Sequence, residues 1–398
     1  MREAAPLEAS FREAQAEVAR LQAEPGESRE ARAALAAAQF ALGHAAARLD
    51  RHAHAQQASQ AAALLYNLLA DEYPADYQPK LAETLSLLGT ECFQLARVED
   101  GLETLERAVS LWRALAKESP ETYLAALAHG LNQFASGLAG VGEVETALAA
   151  TQEAVAIRRK LAIKQPDAHL AGLGRSLVNL GNRLSDLDRL KEAAAALVEA
   201  VSLLRILAMQ EEEALLADFA AALGSLAVLH HHLGNLEAAL LANEEAVAVR
   251  RALVENRPEH YSGALAAALA NLGILYLDLE RLDDALPVME ESVALFREGV
   301  QTRPDDFQND LAAGLTNLGL VYGAQDRGED AVRVTEEALA LLLRLAKDWP
   351  EGTLRELVDT FTILEQHLKE AGIPYEQHPG YGAAAAFLDP YLDEGFTG

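Results

Sequence analysis

A formal charge of −28 spread over 398 residues makes this chain a poor match for phosphate backbones and anionic lipid heads, and an easier match for a basic partner. Hydrophobic residues make up 51% of it but aromatic residues only 6%, and strand-length runs of β-branched residues are almost absent, so no sheet is expected. The single cysteine, Cys92, excludes an internal disulfide and a cysteine-based zinc site.

Residues 1–27 read as an N-terminal capping helix, with Leu7, Phe11, Val18 and Leu21 spaced along the stretch 5–23. The opening MREAAPLEASFREAQAEVARL is charged and amphipathic and lacks the apolar segment of a secretory signal. No uninterrupted apolar run reaches membrane-spanning length, so a cytoplasmic protein without membrane contact is expected.

From residue 28 to residue 349 the chain repeats itself every 46 residues, in seven copies of which the first is degenerate. Pro74, Pro120, Pro166, Pro258, Pro304 and Pro350 fall on this grid, and only Glu212 interrupts it. A small residue recurs at Gly43, Gly89, Ala135, Gly181, Ala227, Gly273 and Gly319. Alanine recurs at Ala55, Ala147, Ala193, Ala239, Ala285 and Ala331, with Gly101 in the second copy. A further series runs Ala62, Ala108, Ala154, Ala200, Ala246 and Ala338, with Ser292 in the sixth copy. Within a copy the apolar spacing is helical, as in Leu81, Leu85, Leu88, Cys92 and Leu95. A turn and a longer amphipathic helix follow, and the grid proline ends that helix by restricting its predecessor. Pro287 is expected in the first turns of its helix, where the lost N–H costs least. Each copy therefore predicts a helical hairpin, and its small positions let two helix backbones approach.

A leucine-glycine pair followed by alanines twelve and nineteen residues on resembles the tetratricopeptide repeat. The residues that carry the resemblance are Leu88-Gly89, Gly101 and Ala108; Leu272-Gly273, Tyr276 and Ala285; and Leu318-Gly319, Tyr322, Ala331 and Ala338. The family's usual period is about 34. The longer period here is more like that of kinesin light chains and bacterial tandem-repeat proteins. The resemblance implies an all-α, right-handed α-solenoid of antiparallel helix pairs.

Residues 350–372 continue the first-helix pattern with Leu357, Phe361, Leu364 and Leu368, but Glu365 takes the small position. A carboxylate is too costly to bury there, so no further copy is expected on that face and this helix reads as the C-terminal cap. The tail, 373–398, breaks the pattern with Pro374, Pro379 and Pro390 and is expected to be irregular, with Phe387, Tyr391, Leu392 and Phe396 available for docking.

In the resembled family the first-helix residues not used in packing line a concave groove. By helical geometry those residues include His129, Asn132, Arg175, Asn179, Asn182, Asp186, His231, His232, Asn271, Asp278 and Asn317. Asn179, Asn271 and Asn317 recur in the triplet Asn-Leu-Gly, and such an amide both donates to and accepts from a peptide backbone. The alternative is that these amides bond the neighbouring repeat or water. Arg113, Arg159, Arg205, Arg251 and Arg297 form a ladder that reads better as partners of Glu153, Glu199, Glu245 and Glu291 than as an anion site. The run His230-His231-His232 does not read as a metal centre, because successive helical residues diverge by about 100°. His230 falls on a packing position, while His231 and His232 would make groove binding pH-dependent near neutrality. No motif for catalysis, a metal or a cofactor stands out. The expected function is a scaffold that binds a peptide or partner helix. A regulatory subunit for a separate effector is the second reading, and an enzyme with a cryptic metal site the third.

Overall fold

The computed structural model describes residues 4–23, 26–348, 350–375 and 378–392. Among these it has seventeen helices and no strand. They are α1 (Ala4–Ala23), α2 (Arg29–Ala47), α3 (His52–Glu72), α4 (Pro74–Gln94), α5 (Val98–Glu118), α6 (Pro120–Gly140), α7 (Val144–Lys164) and α8 (Pro166–Asp186). There follow α9 (Leu190–Ala208), α10 (Glu213–His232), α11 (Leu236–Asn256), α12 (Pro258–Asp278), α13 (Leu282–Thr302) and α14 (Pro304–Ala324). The last are α15 (Gly328–Asp348), α16 (Pro350–Glu370) and α17 (Pro379–Leu392). The chain divides into two compact bodies, Met1–Leu203 and Leu204–Gly398.

Within each body the fold is α-solenoid: from α1 to α8 and from α10 to α17 each helix packs on the next, and successive even-numbered helices, the first helices of the repeats, also touch one another within a body. Among the described residues the second helices α3, α5, α7, α11, α13 and α15 do not pack on each other, although α15 meets α17. The first helices therefore form the inner layer of each body. Two of them, α10 and α12, are long and apolar enough by composition to cross a membrane, although no uninterrupted run suggested it. About half of each such stretch, 44% and 50%, is buried inside the protein.

The grid proline is the first residue of the next helix rather than a spacer between two. Tyr73, Ser119, Gln165, Arg257 and Arg303 each end one helix and begin another with φ near −140° and ψ near 75°. A following proline keeps its predecessor out of the helical region, and proline at the first helical position gives up an N–H that had no partner anyway. Where Glu212 replaces proline, α9 stops at Ala208, Glu211 turns to φ 58° and α10 begins only at Glu213. Pro287 does not lie in the first turn. It is the sixth residue of α13, where its missing N–H removes a helical bond to Asp283.

The turn inside each repeat has a register of its own. Asp50, Ala96, Gly142, Asp188, Gly234, Glu280, Asp326 and Gly372 all have positive φ and lie 46 residues apart. The following amide reaches back five residues, as in Arg97 N to Cys92 O at 2.8 Å and Arg281 N to Tyr276 O at 2.8 Å. This is the Schellman closure, which satisfies a carbonyl left over at the helix end.

At the C-terminus the tail is not irregular throughout. Helix α17 packs on α15 and α16, with Ala384 and Leu388 fully buried and Phe387 against the core. The Glu365 face is thus covered: the Tyr381 hydroxyl donates to the Glu365 carboxylate at 2.8 Å, and the Tyr381 ring stacks on Phe361 at 4.8 Å. The hydrogen bond is what makes a carboxylate tolerable there. Phe396 and the side chains of Tyr391 and Leu392 lie outside the described residues. His367 of α16 is 2% exposed. Thr335 donates its hydroxyl to the Ala331 carbonyl, so at 3.0 Å it accepts from His367 Nδ1. Burial holds the His367 pKa below its ordinary value, and Glu370 only partly opposes this.

Two measurements follow from these contacts. A non-glycine residue in the left-handed region costs about 1–2 kcal/mol, and glycine gives back roughly half in chain entropy. Ala96→Gly and Glu280→Gly are each expected to raise stability to urea by about 0.5–1 kcal/mol. Because His367 titrates lower folded than unfolded, its contribution is fully present above an unfolded pKa of about 6.5. As pH falls below that, the unfolded chain takes up a proton that the folded chain refuses, and stability is lost. Comparing urea unfolding at pH 7.5 and pH 5.5, wild type is expected to lose more stability than His367→Asn.

Candidate functional site

The first-helix layer owes its position to contacts behind it. A Cβ added to Gly89 would stand 2.6 Å from Leu105 Cγ, and one on Gly273 would stand 2.6 Å from Met289 Cγ. These glycines let each second helix press against the back of the first, so the opposite face of the first helix is left outward. The predicted groove residues stand on that face, but their states differ.

In the Met1–Leu203 body, Asn132 of α6 donates to Ser176 Oγ of α8 at 2.7 Å, and Ser176 donates in turn to the Gly172 carbonyl at 3.0 Å. Asn132 therefore ties two repeats together. Asp186 pairs with Arg183 one turn earlier at 3.2 Å. His129 is exposed, and desolvation, then Arg158 and Arg175, hold its pKa below the ordinary value. Arg175 is exposed on α8. Asn179 and Asn182 are half-buried at the face and make no side-chain hydrogen bond among the described residues.

In the Leu204–Gly398 body, His231 Nε2 lies 2.6 Å from an Asp278 oxygen, joining α10 to α12 through two predicted groove residues. His232 is exposed, and its ring centroid is 6.3 Å from that of His231. His230 is half-buried at its packing position. Among the described residues no three His, Cys, Asp or Glu side chains are placed to share a metal ion. Asn271 is exposed, Asn317 is half-buried, and neither side chain is hydrogen-bonded among the described residues.

Two cavities open on the first-helix layer. One, of about 330 Å³, lies between α4 and α6 over Leu105 of α5, walled by Phe93 and Gly137. The other, of about 190 Å³, lies between α10 and α12 over Asn243 of α11, with Val228, Ile274 and Asn271 around it.

The outer face is spent on itself. Arg113, Arg159, Arg205, Arg251 and Arg297 reach Glu153, Glu199, Glu245, Glu291 and Glu337, each forty residues on, at 2.5–2.6 Å. Arginine and glutamate are long enough to bridge second helices that do not pack directly.

The sequence reading missed two arginines. Arg158 and Arg250 occupy a second-helix position that elsewhere holds buried Tyr66, Trp112, Leu204, Phe296 and Leu342. Burial lowers the pKa of both, with Arg175 adding to the effect at Arg158. A Cβ at Gly172 would overlap the Arg158 guanidinium. The signal was present as two charged residues on an apolar register of the grid.

A family model described as Tetratricopeptide repeat matches residues 173–208, 219–261 and 265–304. No curated protein matches the chain. Among solved structures, BtubC (BKLC) from P. vanneervenii is 23% identical with a TM-score of 0.51, covering 63% of this chain and 92% of that one. The apo form of RapI is 15% identical with a TM-score of 0.51, covering 76% of this chain and 99% of that one. A signal-transduction ATPase with a tetratricopeptide repeat sensor, from Pyrococcus horikoshii, is 13% identical with a TM-score of 0.56, covering 95% and 52%. At these identities the likeness is one of fold.

Each ladder pair is exposed to solvent and screened by it, so one pair contributes only about 0–1 kcal/mol. Arg251→Gln is expected to lower stability by less than about 1 kcal/mol, and Arg251→Gln with Glu291→Gln by no more than the sum of the single changes. A double-mutant cycle in urea checks both, and the coupling is expected to shrink in 1 M salt.

Proposed function

Since the chain carries tetratricopeptide repeats, we propose that it is a protein-interaction scaffold whose first-helix face binds an extended peptide or a partner helix. The observation that carries this reading is the contrast between the two faces. On the outer face the arginines and glutamates of the ladder are engaged with one another. On the inner face Asn179, Asn182, Asn271 and Asn317 keep amides that bond nothing among the described residues. A carboxamide at a half-open position suits a peptide backbone, because it offers a donor and an acceptor together. Binding needs no cofactor and no catalytic group. The net charge of −28 favours a basic segment as partner over nucleic acid or an anionic lipid surface. Control of a separate effector would use the same face.

Asn132, His231 and Asp278 have a smaller part in this reading, because their side chains already bond within the protein. His129 and His232, both exposed, remain on the face as contacts for a ligand, while Arg175, also exposed, interacts within the protein.

The test uses peptides selected on the full chain from a random phage-displayed library. Two lost hydrogen bonds of about 0.5–1.5 kcal/mol each predict that Asn271→Ala/Asn317→Ala, both within the Leu204–Gly398 body, binds them at least about fivefold more weakly. Its thermal unfolding is expected to match wild type, since neither amide bonds among the described residues. Unchanged affinity in the double variant would overturn the groove reading.

A further inference from the structure

The two inner-face cavities occupy the same place in the repeat, three periods apart. Leu105 under the first corresponds to Asn243 under the second, Phe93 to His231, and Gln133 to Asn271. The floors differ in chemistry. At this register Leu105, Leu197 and Met289 bring no polar atom, and Thr151 and Thr335 turn their hydroxyls to carbonyls one turn back. Asn243 is 1% exposed. Its Nδ2 donates to the Ala268 carbonyl at 3.2 Å, which fixes the orientation of the amide, and Oδ1 is left buried without a partner. A buried acceptor without a donor is a standing cost that an incoming N–H would relieve. Only Ser59 shares that state at this register, and it is packed against Gly43.

We infer that the cavity between α10 and α12 is a side-chain subsite of the proposed groove that takes a carboxamide, as a glutamine of the bound peptide would present. This rests on the peptide-binding reading and adds its specificity. An amide N–H satisfies Asn243 Oδ1, while the amide carbonyl accepts from Asn271 at the rim. The two methylenes of the stem lie against Val228 and Ile274. A carboxylate offers only acceptors and leaves Oδ1 unpaired. An ammonium offers donors but would give up its hydration in a cavity whose lining has no carboxylate. A serine hydroxyl is too short to fill about 190 Å³ and reach the floor. In the α4–α6 cavity the floor, Leu105, is apolar, and the buried amide oxygen without a partner belongs instead to Gln133 in the wall, whose Nε2 donates to Thr90 Oγ1 at 2.9 Å.

The experiment follows the Ile274 δ1 methyl by NMR in the full chain, with butyramide as probe and butyrate, butylamine and indole as controls. Butyramide is expected to shift the Ile274 methyl saturably below about 50 mM, a range suited to so small a ligand. The three controls are expected to leave it in place. Asn243→Thr is expected to abolish the response, and the variant keeps the fold because Thr151 already stands opposite Ala135 as this threonine would stand opposite Ala227. Asn271→Ala, at an exposed position, is expected to weaken the response severalfold. No butyramide response, an equal response in Asn243→Thr, or an equal response to any control overturns the assignment. Selected peptides that bind while butyramide does not would remove the subsite and leave the scaffold. A butyramide response without peptide binding would do the reverse.

Discussion

Two helices of this length can lie close along their whole contact only if one of them gives up its side chains where they cross. That requirement organises each repeat. Ala55, Ala108, Ala147, Ala154, Ala239, Ala246, Ala285 and Ala338 are all fully buried at 0% exposure. Where the first helix has glycine, as at Gly89 and Gly273, the facing residue is Leu105 or Met289, and a methyl on the glycine would already overlap it. Where the first helix has alanine, as at Ala135 and Ala227, the facing residue shrinks to Thr151 or becomes Asn243. In these four repeats volume is traded across the contact, as close packing demands, whereas Gly43 faces Ser59, and Gly319 faces Thr335 with His367 beside it. Ser292 is the one hydroxyl in the second alanine series, and it donates to the Ala266 carbonyl at 2.7 Å rather than standing unpaired.

The chain direction between contacts is set by backbone chemistry at two points per repeat. Proline at the start of a first helix keeps its predecessor out of the helical region, so one residue suffices to reverse the chain. A left-handed residue at the end of the first helix makes the other reversal. The connection at Glu212 shows what the proline does, since without it the joint lengthens to the four residues 209–212 and borrows a left-handed residue, Glu211.

The period was legible because proline and small residues are irreplaceable for steric reasons and so stand out in a single sequence. The ladder was legible for a related reason: charges that recur with the repeat must meet at a fixed offset. The left-handed register was harder to see. Its residues are glycine, aspartate, glutamate and alanine, which share no side-chain chemistry, only a backbone angle. Helix α17 was hidden by Pro374, Pro379 and Pro390, which read as breakers although Pro379 begins a helix. Periodicity puts the proposed groove residues on one face, but it does not say which of them are already bonded. Asn132 and Asn179 look alike in the sequence. One is tied to Ser176, and the other is not tied at all.

That difference is what separates a packing face from a recognising one. A strongly acidic chain must place its carboxylates where they do least harm, and here many face arginines on the outer layer, at the helix ends or across repeats. Pairs of that kind contribute little stability each, but they leave the surface with few unsatisfied charges of either sign in the ladder itself. The inner layer follows another economy: its polar groups are mostly neutral amides and hydroxyls, and several have no internal partner. Neutral groups cost little to leave in water and little to desolvate against another polar chain, whereas charges cost more to bury. On the proposed reading, a face built this way would discriminate by hydrogen-bond geometry and cavity shape, and its partner would be selected by what fits between first helices rather than by charge alone.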